Sequence, residues 1–262
     1  MSVWTLATWN VNSLRARLDR VLSWLDRTRP DVLCLQETKC PDADFPREAF
    51  AAAGYRSAHA GQEDGLNGVA VLSREPLEGV VDLLPGNPSD TQRRFLSVRT
   101  SGVRVLCVYV PNGQAVGSEA YFYKLDWLSR LLAFLRERHR PDEELALLGD
   151  FNIAPDDRDV DDPARWEGGI HCTAHERRML EHLQAWGLVD CQRALEPEAR
   201  RFTWFDYRST YRGFSAAKGL RIDLIYATRP LVERLSELRV DLEERAGERP
   251  SDHAPVLARF AR

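Results

Sequence analysis

The sequence has no apolar run approaching the roughly 20 residues that cross a bilayer. It also has no G-x-G-x-x-G or Walker loop, no internal repeat and no low-complexity linker. These absences exclude a membrane-inserted helix, the familiar nucleotide-binding loops, a solenoid and a chain of tethered domains. At 262 residues, a single domain over residues 1–262 is expected. Cysteine is scarce. Cys34, Cys40, Cys107, Cys172 and Cys191 cannot all pair, and none forms C-x-x-C, so reduced, buried thiols are expected rather than a zinc or redox site. Lysine is nearly missing: only Lys39, Lys124 and Lys218 occur among the 36 basic residues, a bias that reads as GC-rich codon usage of a bacterial kind. There is no excess of positive charge either. A net charge of −4 argues against coating nucleic acid by phosphate neutralisation, while leaving room for a local basic rim around an acidic centre. The start, MSVWTLATWN, lacks the basic and apolar regions of a secretion signal, so it is read as the first strand of a cytoplasmic protein.

What the chain does have is short β-branched or aromatic runs: 3–9, 32–35, 68–72, 95–98, 103–110, 145–148, 202–205, 222–227 and 256–260. Three helical patterns separate them. The first carries Leu18, Val21, Leu22 and Leu25 on one face and stops before Pro30. The second runs from about Glu119 to His139. The third opens with the capping box Thr173-x-x-Glu176, turns Met179, Leu180, Leu183 and Trp186 inward, and ends at Gly187. Strands early and late, with helices able to cover two sheet faces, predict a layered α/β sandwich. The longest loop-like stretch, 155–171, follows a polar strand end directly, which is where long functional loops often lie.

Polar residues close otherwise apolar strands at five places: Asn10 and Asn12 after Trp9, Gln36-Glu37-Thr38, Asp150 and Asn152, Asp223 inside Arg221-Ile222-Asp223, and Ser251-Asp252-His253. Any one Asp or Asn at a strand end is ordinarily a turn or cap residue. Together they offer hard oxygen ligands, a general base and an imidazole beside acids, which are the needs of phosphoester hydrolysis. On this chemistry Glu37 is the expected Mg²⁺ ligand, helped by Asn10 and Asp252, and Asp150 orients or deprotonates water. Asn152 binds the scissile phosphate, and His253 pairs with Asp223 and stays cationic. Tyr109 donates to the phosphate or leaving group, although a strand tyrosine at an interface fits it equally. His59, His139, His171, His175 and His182 show no ligand spacing and are read as solvated.

At these residues the chain resembles the exonuclease III branch of the endonuclease/exonuclease/phosphatase superfamily. The motifs that carry the resemblance are Thr8-Trp9-Asn10-Val11-Asn12-Ser13-Leu14-Arg15, Leu35-Gln36-Glu37-Thr38-Lys39 and Tyr109-Val110-Pro111-Asn112-Gly113. The later ones are Gly149-Asp150-Phe151-Asn152, Leu220-Arg221-Ile222-Asp223 and Ser251-Asp252-His253. The resemblance implies a four-layer α/β/β/α sandwich of two mixed sheets, DNase I-like, with Mg²⁺ on Glu37 and Mn²⁺ able to substitute. The substrate it implies is double-stranded DNA with abasic sites or blocked 3′ ends, cut by a monomer that combines abasic-site incision with 3′→5′ exonuclease and 3′-phosphatase activity. In the run 201–208, Trp204 with Leu220 and Ile222 would line a pocket for a base-less sugar, core packing being the plainer reading of that tryptophan. Asn12, Arg15, Lys39, Arg94, Asn112, Gln114, Arg208 and Lys218 would contact the DNA. Gln92 and Arg93 depart from the family's usual acid and small residue beside Arg94, and 188–193 departs from its usual ending. A superfamily phosphoesterase acting on inositol phosphates or lipid head groups, and a catalytically silent DNA-binding module, are the competing readings.

Overall fold

The computed structural model describes residues 3–207 and 214–262. Six strands form one sheet: β1 (Val3–Asn10), β2 (Val32–Gln36), β3 (Arg56–Ala60), β4 (Val69–Ser73), β11 (Leu235–Val240) and β12 (Val256–Ala261). The other sheet holds β5 (Glu78–Val81), β6 (Phe95–Thr100), β7 (Val103–Tyr109), β8 (Leu145–Asp150), β9 (Leu188–Asp190) and β10 (Asp223–Thr228). The helices are α1 (Leu14–Thr28), α2 (Arg47–Ala52), α3 (Glu119–Arg138), α4 (Pro163–Trp166), α5 (Ala174–Trp186), α6 (Cys191–Leu195) and α7 (Arg229–Val232). Strand order is β11-β12-β1-β2-β4-β3 in the first sheet and β5-β6-β7-β8-β10-β9 in the second. Each sheet is mixed, with one parallel pair, β1 with β2 and β7 with β8. Each parallel pair is joined by a crossover helix, α1 in one sheet and α3 in the other, as parallel neighbours require.

Alternation along the strands builds four layers. Leu6, Cys34, Val105, Cys107 and Leu148 enter a core between the sheets. Ala7, Leu33 and Leu35 face the other way, under Val21, Trp24 and Leu25 of α1 and Phe50 of α2. Leu106, Val108 and Leu147 likewise face Trp127, Leu128 and Leu131 of α3 and Leu180 and Leu183 of α5. The result is the expected α/β/β/α sandwich. All five cysteines are buried and free.

The three long helices start and stop as their patterns predict. Helix α5 carries the full capping box between Thr173 and Glu176 and closes on Gly187 at φ 132°. One expected strand, 202–205, is not a strand. Trp204 makes only isolated bridges, to Leu220 and His253, because the segment is threaded between those two stretches and pairs in a ladder with neither. Strands β3, β5, β9 and β11 were not expected. Arg56 and all of β5 are exposed, so they lack the apolar alternation by which a half-buried strand is read.

The alternation also determines where the seam between the sheets turns polar. One step beyond the apolar inter-sheet residues, the same face of each strand presents Asn10, Gln36, Tyr109 and Asp150, and Asp223 begins β10 on that face. Gln36 bridges the sheets beneath them, accepting from the Thr8 hydroxyl (3.1 Å) and donating to Cys107 Sγ (3.2 Å). Gly149 lets β7 and β8 stay paired up to this edge. Its φ is 150°, and a Cβ there would sit 1.9 Å from the Val108 carbonyl oxygen. Gly149→Ala is therefore expected to destabilise the protein by about 3–5 kcal/mol, read as a lowered urea midpoint with an unchanged slope.

Candidate active site

Asn10 ties the polar end of the seam together. Its Nδ2 donates to Glu37 Oε1 (2.8 Å) from the first sheet and to Asp150 Oδ2 (2.9 Å) from the second, while its Oδ1 accepts from the Asn12 amide. Asn10 thus meets the two acids as a donor, while its oxygen accepts one bond and keeps a second lone pair. Glu37 Oε2 pairs with Lys39 Nζ at 2.8 Å, and Lys39 also donates to Asn12 Oδ1 at 2.7 Å. Burial works against the charged form of Glu37, but Lys39 and the Asn10 bond hold its carboxyl below the usual range. Ligand atoms of Glu37, Asp150 and His253 lie within 4.8 Å of one another. The two carboxylates of that set, Glu37 and Asp150, are hard oxygen donors that fit a divalent cation, whereas the imidazole is engaged with Asp223. Asp252 accepts from Asn12 Nδ2 (3.1 Å) on one oxygen and from Trp204 Nε1 (3.1 Å) on the other.

His253 is buried between two acids. Its Nδ1 lies 2.8 Å from Asp223 Oδ2 and its Nε2 lies 3.8 Å from Asp150 Oδ2. Burial alone would lower its pKa, but Asp223 and then Asp150 raise it to about 10, so it is cationic near neutrality. Asp150 moves the other way from most acids. Burial, only partly offset by His253 and reinforced by Asp223, pushes it up to about 7, a value suited to taking a proton from water. Tyr109 is half-buried, and the Arg94 guanidinium sits 4.5 Å from the ring centre. Burial and the neighbouring Glu37 push the phenol well above its ordinary value, so it keeps its proton. Gln92 fills the place of the family's acid and still holds Arg94, accepting from its Nε at 2.6 Å.

Asn152 donates to the Val110 carbonyl (3.0 Å) and to Asp150 (3.3 Å), and accepts from Asn112 Nδ2 (3.2 Å). Here it braces Asp150 and meets Asn112. Trp204, Leu220 and Ile222 do come together, in an apolar cluster with Ala154, Val160 and Trp166. Leu220 and Ile222 are 0% and 2% exposed, so Trp204 carries the accessible surface. Arg15, Asn112, Gln114 and Lys218 are exposed, and Arg94 is partly so. Arg208 lies outside the described residues.

Several contributors receive no role from a reading of strand ends, even where the reading passes over them. Thr203 Oγ1 accepts from the amides of Ile222 and Asp223, fixing the start of β10. Ser251 donates to the Asn10 carbonyl at 2.6 Å. Arg221 is fully buried against Asp159 and Asp190. Three histidines are not solvated as expected: the His139 side chain is 7% exposed with Nδ1 2.8 Å from Glu143 Oε1, and His59 and His171 are buried. His59 stacks on Phe45 and pairs with Asp42, and His171 is buried with Nδ1 2.6 Å from the Asn152 carbonyl. His175 and His182 are exposed. The backbone is strained along the same edge: Asn12, Ser13, Glu37, Lys39, Gln114, Asn152 and His171 all have positive φ, a clustering characteristic of functional sites.

In an unfolded chain the imidazole titrates near 6.5. The raised folded value therefore makes the His253 ion pair fully stabilising below that pH, and the contribution is lost as pH rises toward about 10. The free-energy gap between wild type and His253→Gln, from urea denaturation, is expected to be widest near about pH 6 and to close toward about pH 10. A gap that stays constant over that span would show that the imidazole is not charged in the folded protein.

The sequence profile of the Endonuclease/Exonuclease/phosphatase family matches residues 7–253. The chain is 35% identical to exodeoxyribonuclease III of Haemophilus influenzae over 265 residues, covering 97% of this chain and 98% of that protein. Among solved structures it superposes with a TM-score of 0.94 on a 3′ phosphatase, NExo, from Neisseria bound to product DNA hairpin, at 44% identity over 99% of this chain and 100% of that one. An AP endonuclease from Archaeoglobus fulgidus superposes equally well, with a TM-score of 0.94 at 36% identity over 99% and 100% of the two chains.

Proposed function

The chain belongs to the endonuclease/exonuclease/phosphatase family, and from that premise we propose that it is a Mg²⁺-dependent DNA-repair phosphoesterase. In this reading it trims blocked 3′ ends and incises beside abasic sites in duplex DNA, as a monomer of one catalytic domain. The observation that carries the reading is the convergence of Glu37, Asp150 and His253 within 4.8 Å at the polar end of the inter-sheet seam. DNA as substrate is supported by the relatives, whose names speak of nucleases and of a DNA hairpin. The 44% identity to the 3′ phosphatase, against 36% to the AP endonuclease, favours 3′-end processing as the leading activity.

Glu37 would hold the cation, which supplies neutralisation of the phosphoryl oxygens and of the leaving oxyanion. Asp150, near its own midpoint at neutral pH, takes the proton of the attacking water, and Asn10 and Asn152 fix the direction of its carboxylate. Cationic His253, held by Asp223, faces the non-bridging oxygens and stabilises charge that grows in the transition state. Tyr109, kept protonated, is the hydrogen-bond donor to the phosphate or leaving group. Trp204, braced by Asp252, forms the wall against which a base-less sugar would rest. Lys39, Arg15, Arg94 and Lys218 supply phosphate contacts along the rim.

A gel assay on duplexes carrying an abasic analogue, a 3′-phosphate or an intact recessed end tests this. All turnover is expected to vanish in EDTA and return with Mg²⁺ or Mn²⁺. Asp150→Asn is expected to lower kcat by about 10²–10⁴-fold, the usual scale for loss of a general base. Full turnover in EDTA, or release of phosphate from inositol phosphates with no DNA cleavage, would overturn the reading.

A further inference from the structure

Lys124, on the first turns of α3, is the least expected buried group in the molecule. It is 0% exposed, and its ion-pair partner Glu176, at the start of α5, is also 0% exposed. An ammonium taken out of water costs several kcal/mol unless it is paired and fully hydrogen-bonded, and here every bond is accounted for. One goes to Glu176, one to the Asn152 carbonyl at 2.7 Å and one to the Asn112 carbonyl at 3.2 Å. Glu176 in turn accepts from the His171 amide and from the amide and hydroxyl of Thr173.

The two carbonyls belong to the loop residues whose side chains meet at the site. Asn152 stands at φ 51°, a left-handed conformation that costs a non-glycine residue of order 1 kcal/mol and persists only where its surroundings over-determine it. Its amide is held by Asp150 Oδ1 at 2.9 Å, and its carbonyl by Lys124 and by His171 Nδ1. Gripping both ends of one residue sets the direction of its side chain, which braces Asp150. The same ammonium links this turn to Asn112, so the loop after β7 and the loop after β8 are held at one separation.

We infer that Lys124, backed by Glu176, is a positioning residue that clamps the Asn112 and Asn152 loops so that Asn152 aims the Asp150 carboxylate. The inference rests on the reading of Asp150 as the reacting base, and Asp150→Asn is the control for that reading. If Asp150→Asn retains full turnover, the reading of the site fails. If Asp150→Asn is inactive while the lysine variants are fully active, only the clamp fails.

The test compares Lys124→Met, Glu176→Gln and the double variant Lys124→Met/Glu176→Gln on a 3′-phosphate duplex with Mg²⁺, measuring kcat, KM and melting temperature. Lys124→Met is expected to lower kcat by about 10–100-fold, the scale of a small misplacement of a catalytic group, with KM changed less than about threefold. The double variant, which buries no unpaired charge, should regain melting temperature without regaining kcat. Glu176→Gln, which leaves the amine on both carbonyls, should lose stability more than kcat. Recovery of wild-type kcat in the double variant would overturn the proposal, because the pair would then serve only its own charge balance. Failure of both lysine-free proteins to fold would equally count against it, since the pair would then be holding the fold rather than the turn.

Discussion

Carboxylates gathered where water is scarce repel one another, and the rest of this structure is arranged around that repulsion. Glu37, Asp150, Asp223 and Asp252 approach from different strands and loops of both sheets. What opposes their separation is a small set of donors and cations: Asn10 between Glu37 and Asp150, Lys39 on Glu37, and His253 between Asp150 and Asp223. Asn10 and His253 each serve two acids and Lys39 serves one, so the acids differ although their chemistry is the same. Glu37 is held charged, while Asp150 is left near its midpoint at neutral pH. Pushing apart the proton affinities of like groups is how one site holds both a cation ligand and a base.

The architecture makes such a site possible because the inter-sheet face is continuous. The same period that sends Leu6, Cys34, Cys107 and Leu148 into the core sends Asn10, Gln36, Tyr109 and Asp150 to its end. The apolar core fixes the spacing of the sheets, and the polar residues inherit that spacing. The two crossover helices differ in what they contribute. Helix α1 covers its sheet with an apolar face, whereas α3 also sends Lys124 beneath the site and Tyr123 and Arg130 to Asp90, in the stretch that leads to Arg94.

Strand-end residues were legible because a polar residue closing an apolar run breaks a pattern. Asn10, Glu37, Asp150, Asp223 and His253 all announce themselves in that way, and the structure brings them to one edge. Long helices were legible for the same reason, through periodicity and caps. Lys124 was not, since a lysine on an otherwise amphipathic helix is ordinarily a solvated charge. Only the Asn112 and Asn152 carbonyls, supplied by other segments, show why it is inside. Thr203 and His171 likewise make their contacts to backbone groups of residues 19 or 20 positions away, and a side chain's partner of that kind leaves no local trace. Strand β5 left no signal because all four of its residues are exposed, and the 202–205 run read as a strand because it is rich in aromatics, which the structure packs into two different clusters.

The first strand, β1, is sandwiched between β2 and the last strand, β12, and Asn10 shares its site with Asp223 and His253. The residues around Asn10 and those around His253 are therefore far apart in the sequence, Ser251 reaching the Asn10 carbonyl across 241 residues. Only with β12 paired on β1 is the imidazole of His253, three residues before that strand, held between Asp150 and Asp223. The order of the strands thus makes the polar constellation the last part of the first sheet to be completed, dependent on a pairing between segments far apart in the sequence.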